Sequence, residues 1–518
     1  MIRPLILALL LWSGAAQAAT LTRGNPGEPE SLDPARAGIE ADENIVGDML
    51  MGLTTPDTRG EPIPGAATRW EVSPDGKSWT FHLRKEVWSD GTPVTADDFV
   101  FAWRRLLDPR TASRNAYILW VIKNGEAVTA GKLPPTALGV RAKDRQTLVV
   151  ELAHPAPYLP EVLALSCAAP LPQHAVEELG DKFTRPGAYI VNGPYLLKEW
   201  VPNDHVLLVK NPRFYDAAHV RIDAVRYVPS PDANAGLKRY RAGELDTLDP
   251  IPMDQIGWIR ANLKPDLHIA PMLGIAYLPL NLNDPALKDV QVRRALNLAY
   301  DREPLVEKIL KLGEAPAYGY VPPGVSNFTG GAAMDFKSLS YPARLAEARK
   351  LMQAAGYGPS NRLQLTLSTT TNPDSRRVAA VAQAMMSQIY LNLRIETSDP
   401  QVYFHSLRLH QFQIGRAVWL ADYDDASDFL DLLRSDSGNN YAGYRNPKYD
   451  ALLDAAQNQP DTKKRAALLR QAEALLVKDY PWIPERYYSQ AVLVKPAVKG
   501  WVPNIRLVNR SRWLWLQK

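Results

Sequence analysis

The chain has 518 residues, 46% apolar and 22% charged, so it can bury several hydrophobic cores and by length alone suggests about three domains. Its formal net charge is +4, with lysine and arginine dispersed rather than in blocks, which excludes a protein that tracks a nucleic-acid backbone. A single cysteine, Cys167, excludes intrachain disulfides, and 43 prolines predict many turns and extended connections.

Residues 1–18 hold three regions in order: a basic start at Met1-Ile2-Arg3, the apolar run PLILALLLW (4–12) and the small-x-small AQA (16–18). The run is too short for a stop-transfer helix, so a signal peptide cleaved after Ala18 is expected. No cysteine follows it, which argues against a lipoprotein, and the mature chain is expected to be soluble in a periplasm. Residues 70–108 read as two alternating strands around the turn PDGK, a second turn at SDGTP, and a helix TADDFVFAWRRLLD that Thr95 caps. Residues 136–152 and 195–210 carry further strand pairs. Between them, Cys167 lies in the apolar VLALSCAAPLP and reads as a small buried hydrophobe.

The second half is more helical, with apolar residues at helical spacing in 287–312, 343–356, 374–391, 447–458 and 461–479. Strand-like runs at 363–370, 391–398 and 412–421 alternate with these, which predicts an α/β lobe with a mixed sheet. From Gln490 onward strand character returns.

Several motifs together carry a resemblance. They are SLDPARA (31–37), DGKSWTFHLR with WSDGTPVTADDFV, NGPYLLKEWVPND (192–204), DVQVRRALNLAYDRE (289–303) and ADYDDASDFLDLLRSDSGNNYAGYRNPKYDALL (421–453). In this order, from about residue 20 to the C-terminus, the chain resembles the extracytoplasmic oligopeptide-binding proteins of ABC importers, within the family 5 solute-binding proteins. The resemblance implies an α/β fold: a two-lobed periplasmic-binding-protein clamshell with mixed sheets and an accessory α+β domain. Lobe I would comprise 19–50, 174–273 and 490–518, the accessory domain 51–173, and lobe II 274–489. Implied partners are short peptides and an inner-membrane ABC permease with its ATPase subunits; a monomer without cofactor or metal is expected.

Enzyme signatures are missing: the sequence has no H-E-x-x-H, G-x-S-x-G, Walker loop or C-x-x-C. His405 and His410 are five apart, which does not set two imidazoles on one helix face for a metal. The stretch RAVWLADYDDASDF (416–429) concentrates the charge. Read as a strand over 413–422, it puts Arg416, Val418, Leu420 and Asp422 on one face and Trp419 on the other. Asp424, Asp425 and Asp428 read as residues that start a helix. Asp422 ends the apolar run, and a carboxylate buried there needs a cation. The resemblance assigns this ADY aspartate to the α-ammonium of a peptide.

Arg416 lies six residues earlier, roughly 20 Å along a strand at about 3.3 Å per residue, which suits a zwitterion of roughly three to five residues. Such a peptide would lie as an added strand against 417–421, with backbone hydrogen bonds holding it and wet pockets taking its side chains. Arg416, Arg408 and Arg376 are the candidate readers of its carboxylate. Asn115 stands where relatives commonly place a wall aromatic, Gln401 where they place a tryptophan, and Gly274 and Leu420 where some place a disulfide. Glu40 adds a charge facing the ligand. The expected function is capture of peptides of about two to five residues for import. The alternatives are a non-peptide solute (a metal complex, sugar or bile-acid-like molecule) in the same fold, or an exported hydrolase using paired aspartates.

Overall fold

A computed structural model describes residues 19–517, so the expected signal peptide lies outside the described residues. The chain opens with β1 (Thr20–Asn25) and α1 (Glu40–Met49). Strands β2 (Ala67–Val72) and β3 (Ser78–Leu83) pair antiparallel around the expected turn, where Gly76 has φ +71° and donates to the Ser73 carbonyl at 2.8 Å. Next comes α2 (Ala96–Leu107), which starts at Thr95; the Asp98 carboxylate accepts the Thr95 N–H at 2.8 Å and closes the first turn. Its apolar face covers the sheet that β4 (Val140–Asp144) and β5 (Thr147–Glu151) complete in the order β2-β3-β5-β4.

Among the described residues the main sheet is mixed and has nine strands. β6 (Tyr195–Val201), β7 (His205–Lys210), β8 (Ala224–Pro229) and β9 (Thr247–Leu248) belong to it, followed by β10 (Leu267–Pro279). After the helix α3 (Val290–Ala299), β11 (Leu363–Thr370) and β12 (Leu391–Ser398) pair in parallel around α4 (Pro373–Ser387). Then come α5 (Pro400–Arg408), β13 (Ala417–Leu420), α6 (Ser427–Leu430), α7 (Thr462–Asp479) and β14 (Trp482–Val494). Sheet order is β13-β10-β14-β9-β1-β8-β7-β6, with the pair Ala315–Pro316 also bonded to β14.

The long strands β10 and β14 organise this sheet. They run antiparallel from a core formed by residues of 228–269 and 491–493 into the largest core, which spans 273–483. Their register breaks between Pro271↔Ser489 and Ile275↔Tyr487, so three residues of β10 oppose one of β14. The expected lobe boundaries, 273/274 and 489/490, fall at this bulge. Residues of 51–173 share one buried cluster with β1, β6–β8 and the C-terminal segment. The strand character expected after Gln490 ends at Val494, beyond which, among the described residues, Val498–Lys499 and Trp515–Leu516 pair.

Candidate functional site

β13 forms the site's edge. It is shorter than the strand expected over 413–422, because Tyr403 interrupts the ladder: its hydroxyl donates to the Arg416 carbonyl at 2.7 Å and accepts the Arg416 N–H at 2.6 Å. On the inner side β13 pairs with β10, and the Ala421 N–H donates to the Leu273 carbonyl at 2.8 Å. By the alternation of an antiparallel ladder, the N–H and C=O of Val418 and Leu420 therefore point away from β10. Val418 is 37% and Leu420 48% exposed, and β13 is the last strand of its sheet, so this edge is open to pair another chain. Gly274 lies directly opposite Leu420, and a Cβ there would come within 2.7 Å of the leucine side chain.

Two cavities meet at the end of this strand. One, of about 520 Å³, is lined by Glu40 at the start of α1, by Asn115 and Tyr117, by Leu420 and Asp422, and by Arg506 from the C-terminal segment. The other, of about 430 Å³, is lined by Trp419, Asp422 and Asp428 with Tyr117, His154 and Tyr158. Asp422 and Tyr117 line both. The Tyr117 hydroxyl donates to Asp422 Oδ1 at 3.0 Å, so this pair stands as a partition between them. Among the described residues no guanidinium or ammonium pairs with Asp422. Burial raises its carboxyl above the ordinary aspartate value, and the Tyr117 hydrogen bond opposes that shift only in part.

The other aspartates of the stretch depart from expectation in part. Asp425 does accept the Ser427 N–H at the start of α6, at 2.9 Å, but its charge is spent on Arg465, with oxygens 2.5 and 2.8 Å from the guanidinium and both side chains buried. Asp424 turns away from α6 to accept the Ser326 N–H and hydroxyl, both at 2.7 Å, and lies 3.1 Å from Arg506. Asp428 is in the first turn of α6 as expected. Its carboxylate, however, accepts the Trp419 indole N–H at 2.7 Å, and burial, followed by the Asp422 charge, pushes it well above its ordinary value. The helix-start reading is corrected for Asp424, whose carboxylate is held by Ser326 and Arg506; Asp425 and Asp428 do stand at the start of α6, and each also has a tertiary partner.

Arg416 is corrected too. Its guanidinium lines neither cavity; it turns toward β14, 3.2 Å from Glu485 Oε1 and 3.2 Å from the Ser375 hydroxyl. Arg408 at the end of α5 and Arg376 in α4 are exposed and line neither cavity. Glu40 lines the larger cavity and shares an electrostatic pocket with Asp249, whose carboxyl burial and the Glu40 charge push up to about 8. The Asn115 amide is held by the Ala37 carbonyl at 2.5 Å, and Gln401 is exposed in the first turn of α5. Two residues after Asn115, Tyr117 is the aromatic that lines both cavities. Cys167 is buried, and desolvation raises its thiol.

Sequence reasoning missed Tyr117, Tyr158, Glu485 and Arg506. Tyr158 stacks on Tyr423 at 4.3 Å between ring centres, and the Arg465 guanidinium lies 5.7 Å from the Tyr158 ring, which ties the 51–173 segment to the Asp422 loop. No local periodicity could reveal such partners. Only the aromatic pair in RNAYILW gave a signal for Tyr117.

Residues 61–441 match the model of the bacterial extracellular solute-binding proteins, family 5. The periplasmic oligopeptide-binding protein OppA of Salmonella typhimurium is 37% identical over 97% of this chain and 96% of its own. The chain belongs to family 5 of the bacterial extracellular solute-binding proteins. A probable deoxycholate-binding periplasmic protein of Escherichia coli, YgiS, is 38% identical over 92% of this chain and 89% of its own. Among solved structures, the murein tripeptide-binding protein MppA in its unliganded open form superposes with a TM-score of 0.86 at 34% identity, covering 97% of this chain and 98% of that one. The family 5 fold thus accounts for the mixed sheet and its two crossing strands.

Proposed function

We propose that this family 5 protein captures short peptides of about two to five residues in the cavities around Asp422 and hands them to an ABC importer. Residues 1–18 would direct export and be removed, and an inner-membrane permease with its ATPase subunits would receive the ligand. The lobes would be 19–50 with 174–273 and 490–518 on one side and 274–489 on the other, with 51–173 as accessory domain. The register break of β10 and β14 would serve as hinge. The observation that carries the reading is a desolvated carboxylate, Asp422, without a cation, at the end of a sheet edge whose Val418 and Leu420 backbone groups face outward. A peptide ammonium supplies the missing charge, and the peptide backbone continues the sheet. Trp419 and Glu40 would contact the first side chains, and the Asn115 loop would close over them.

Relatedness to a probable deoxycholate-binding protein raises a bile-acid-like ligand. Its carboxylate would meet Asp422 and Asp428, both acids, so the peptide reading is preferred. Calorimetry with a tripeptide tests it: Asp422→Ala and N-acetylation of the peptide are each expected to cost about 2–5 kcal/mol, upwards of thirtyfold in Kd. Wild-type affinity in either case sinks the reading.

A further inference from the structure

Arg416 is the one cation that strand geometry offered for the far end of a zwitterionic ligand, and the fold gives it another task. Glu485, fully buried in β14, accepts a hydrogen bond from the Tyr300 hydroxyl on Oε2 at 2.8 Å and holds Arg416 and Arg486 on Oε1. Arg486 in turn binds Glu314 Oε1 at 2.6 Å through Nε. Two arginines and two glutamates thus form a group of formally balanced charge. All four side chains are at least nine-tenths buried, that of Arg416 being 8% exposed. The Tyr403 hydroxyl fixes the Arg416 backbone on both sides, and the guanidinium itself is held by Glu485 and the Ser375 hydroxyl, contacts it would have to give up to reach the ligand.

Among the described residues every other arginine of the two cavity walls is engaged, and burial lowers His154 in the smaller cavity toward its neutral form. In the larger cavity Arg506 is divided between Asp424 and Glu161, and Arg510 donates to the Glu43 carbonyl. Arg23 donates to the Asn509 carbonyl and the Ser511 hydroxyl and faces the Glu40 and Asp249 carboxyls. In the smaller cavity Arg465 is committed to Asp425. The unpaired charges are carboxyls, Asp422 and Asp428 foremost.

We propose that Glu485 is a positioning residue that withdraws Arg416 from the ligand, so that the site grips an ammonium and a peptide backbone and disregards the terminal carboxylate. The ligand class that follows is peptides with a free amino terminus whose carboxyl terminus is blocked, amidated or beyond the cavity, with net positive charge favoured. Releasing Arg416 to a carboxylate would leave Glu485 and Arg486 to rebalance in a dry interior, a cost that a solvated ligand carboxylate does not offset.

The inference rests on the peptide reading, and the test separates the two. A random tripeptide library is offered to the purified protein by equilibrium dialysis as free acid, carboxyl-terminal amide and N-acetylated acid. Acid and amide are expected to be retained within about threefold of each other, and the acetylated form about thirtyfold less. Acid preferred over amide by about tenfold or more overturns this inference and leaves the peptide reading standing. Acetylated peptides retained as well as free ones overturn the peptide reading itself. Glu485→Gln frees one guanidinium and is expected to raise the acid-to-amide ratio about tenfold, while Glu485→Asp keeps the wild-type ratio. A purely structural role would lower both forms alike and leave the ratio unmoved, which refutes the assignment to Glu485. Should Glu485→Gln fail to fold, the wild-type ratio still decides.

Discussion

Binding at Asp422 is expected to be coupled to protons. The ligand-free site sets Asp422 beside Asp428, each raised above the ordinary aspartate value by burial and Asp428 raised further by the charge of Asp422, while Asp431 in the same cavity wall is pushed up to about 6 by burial. As pH falls through this raised range, the pair takes up a proton and its net charge drops. An ammonium requires the ionised form, so ligand and proton compete. Affinity is therefore full above the raised range and weakens about tenfold, or 1.36 kcal/mol, for each pH unit below it. Two units would cost about a hundredfold. At the other end the peptide's own α-amino group loses its proton near pH 8, so the profile of affinity against pH is a bell with one limb from the protein and one from the ligand. Calorimetry of one tripeptide between about pH 4.5 and 9, repeated in buffers of different ionisation heat, counts the protons directly. About one proton released on the acid limb, falling to none on the plateau, is the expected outcome. Asp428→Asn removes the like charge and should move the acid limb to lower pH. A flat affinity across the acid limb, with no dependence on buffer, would refute the reasoning, since no ammonium would then be competing with a proton at Asp422.

Two further outcomes concern the scaffold. Arg465→Met leaves Asp425 buried without its cation and should destabilise the fold by about 3–5 kcal/mol in urea unfolding, whereas the Asp425→Asn/Arg465→Met pair should recover most of the loss; a single-variant loss below about 1 kcal/mol would show that the pair is not the anchor of this loop. Glu86 is buried against Asn192, and desolvation pushes its carboxyl up to about 7. Because the folded value is the higher one, the stability it confers is complete below its ordinary value, near pH 4, and is lost as pH rises to 7. Glu86→Gln should therefore match wild type near pH 4 and exceed it by up to about 3 kcal/mol at pH 8, and equal stabilities at pH 8 would remove burial as the cause.

The sequence carried those features whose cause is local. Thr95 and Asp98 lie three apart, PDGK is bounded by alternating residues, and α3, α4 and α7 follow apolar spacing, so each could be read where it stands. The sheet order could not, because β1, β9 and β14 come together from opposite ends of the chain. Asp422 was legible because an apolar run ending in a carboxylate poses an unanswered charge. Arg416 posed the same question and had a hidden answer: Glu485, 69 residues away, next to Arg486 with its own Glu314. Asp425 and Arg465 repeat the lesson at a separation of 40 residues. A charged residue in an apolar strand shows that a partner is required and leaves open whether the partner is ligand or protein. In this stretch the fold answers for Arg416, Asp424 and Asp425, whereas Asp422 has no ion pair among the described residues, and under the peptide reading a ligand ammonium would supply it.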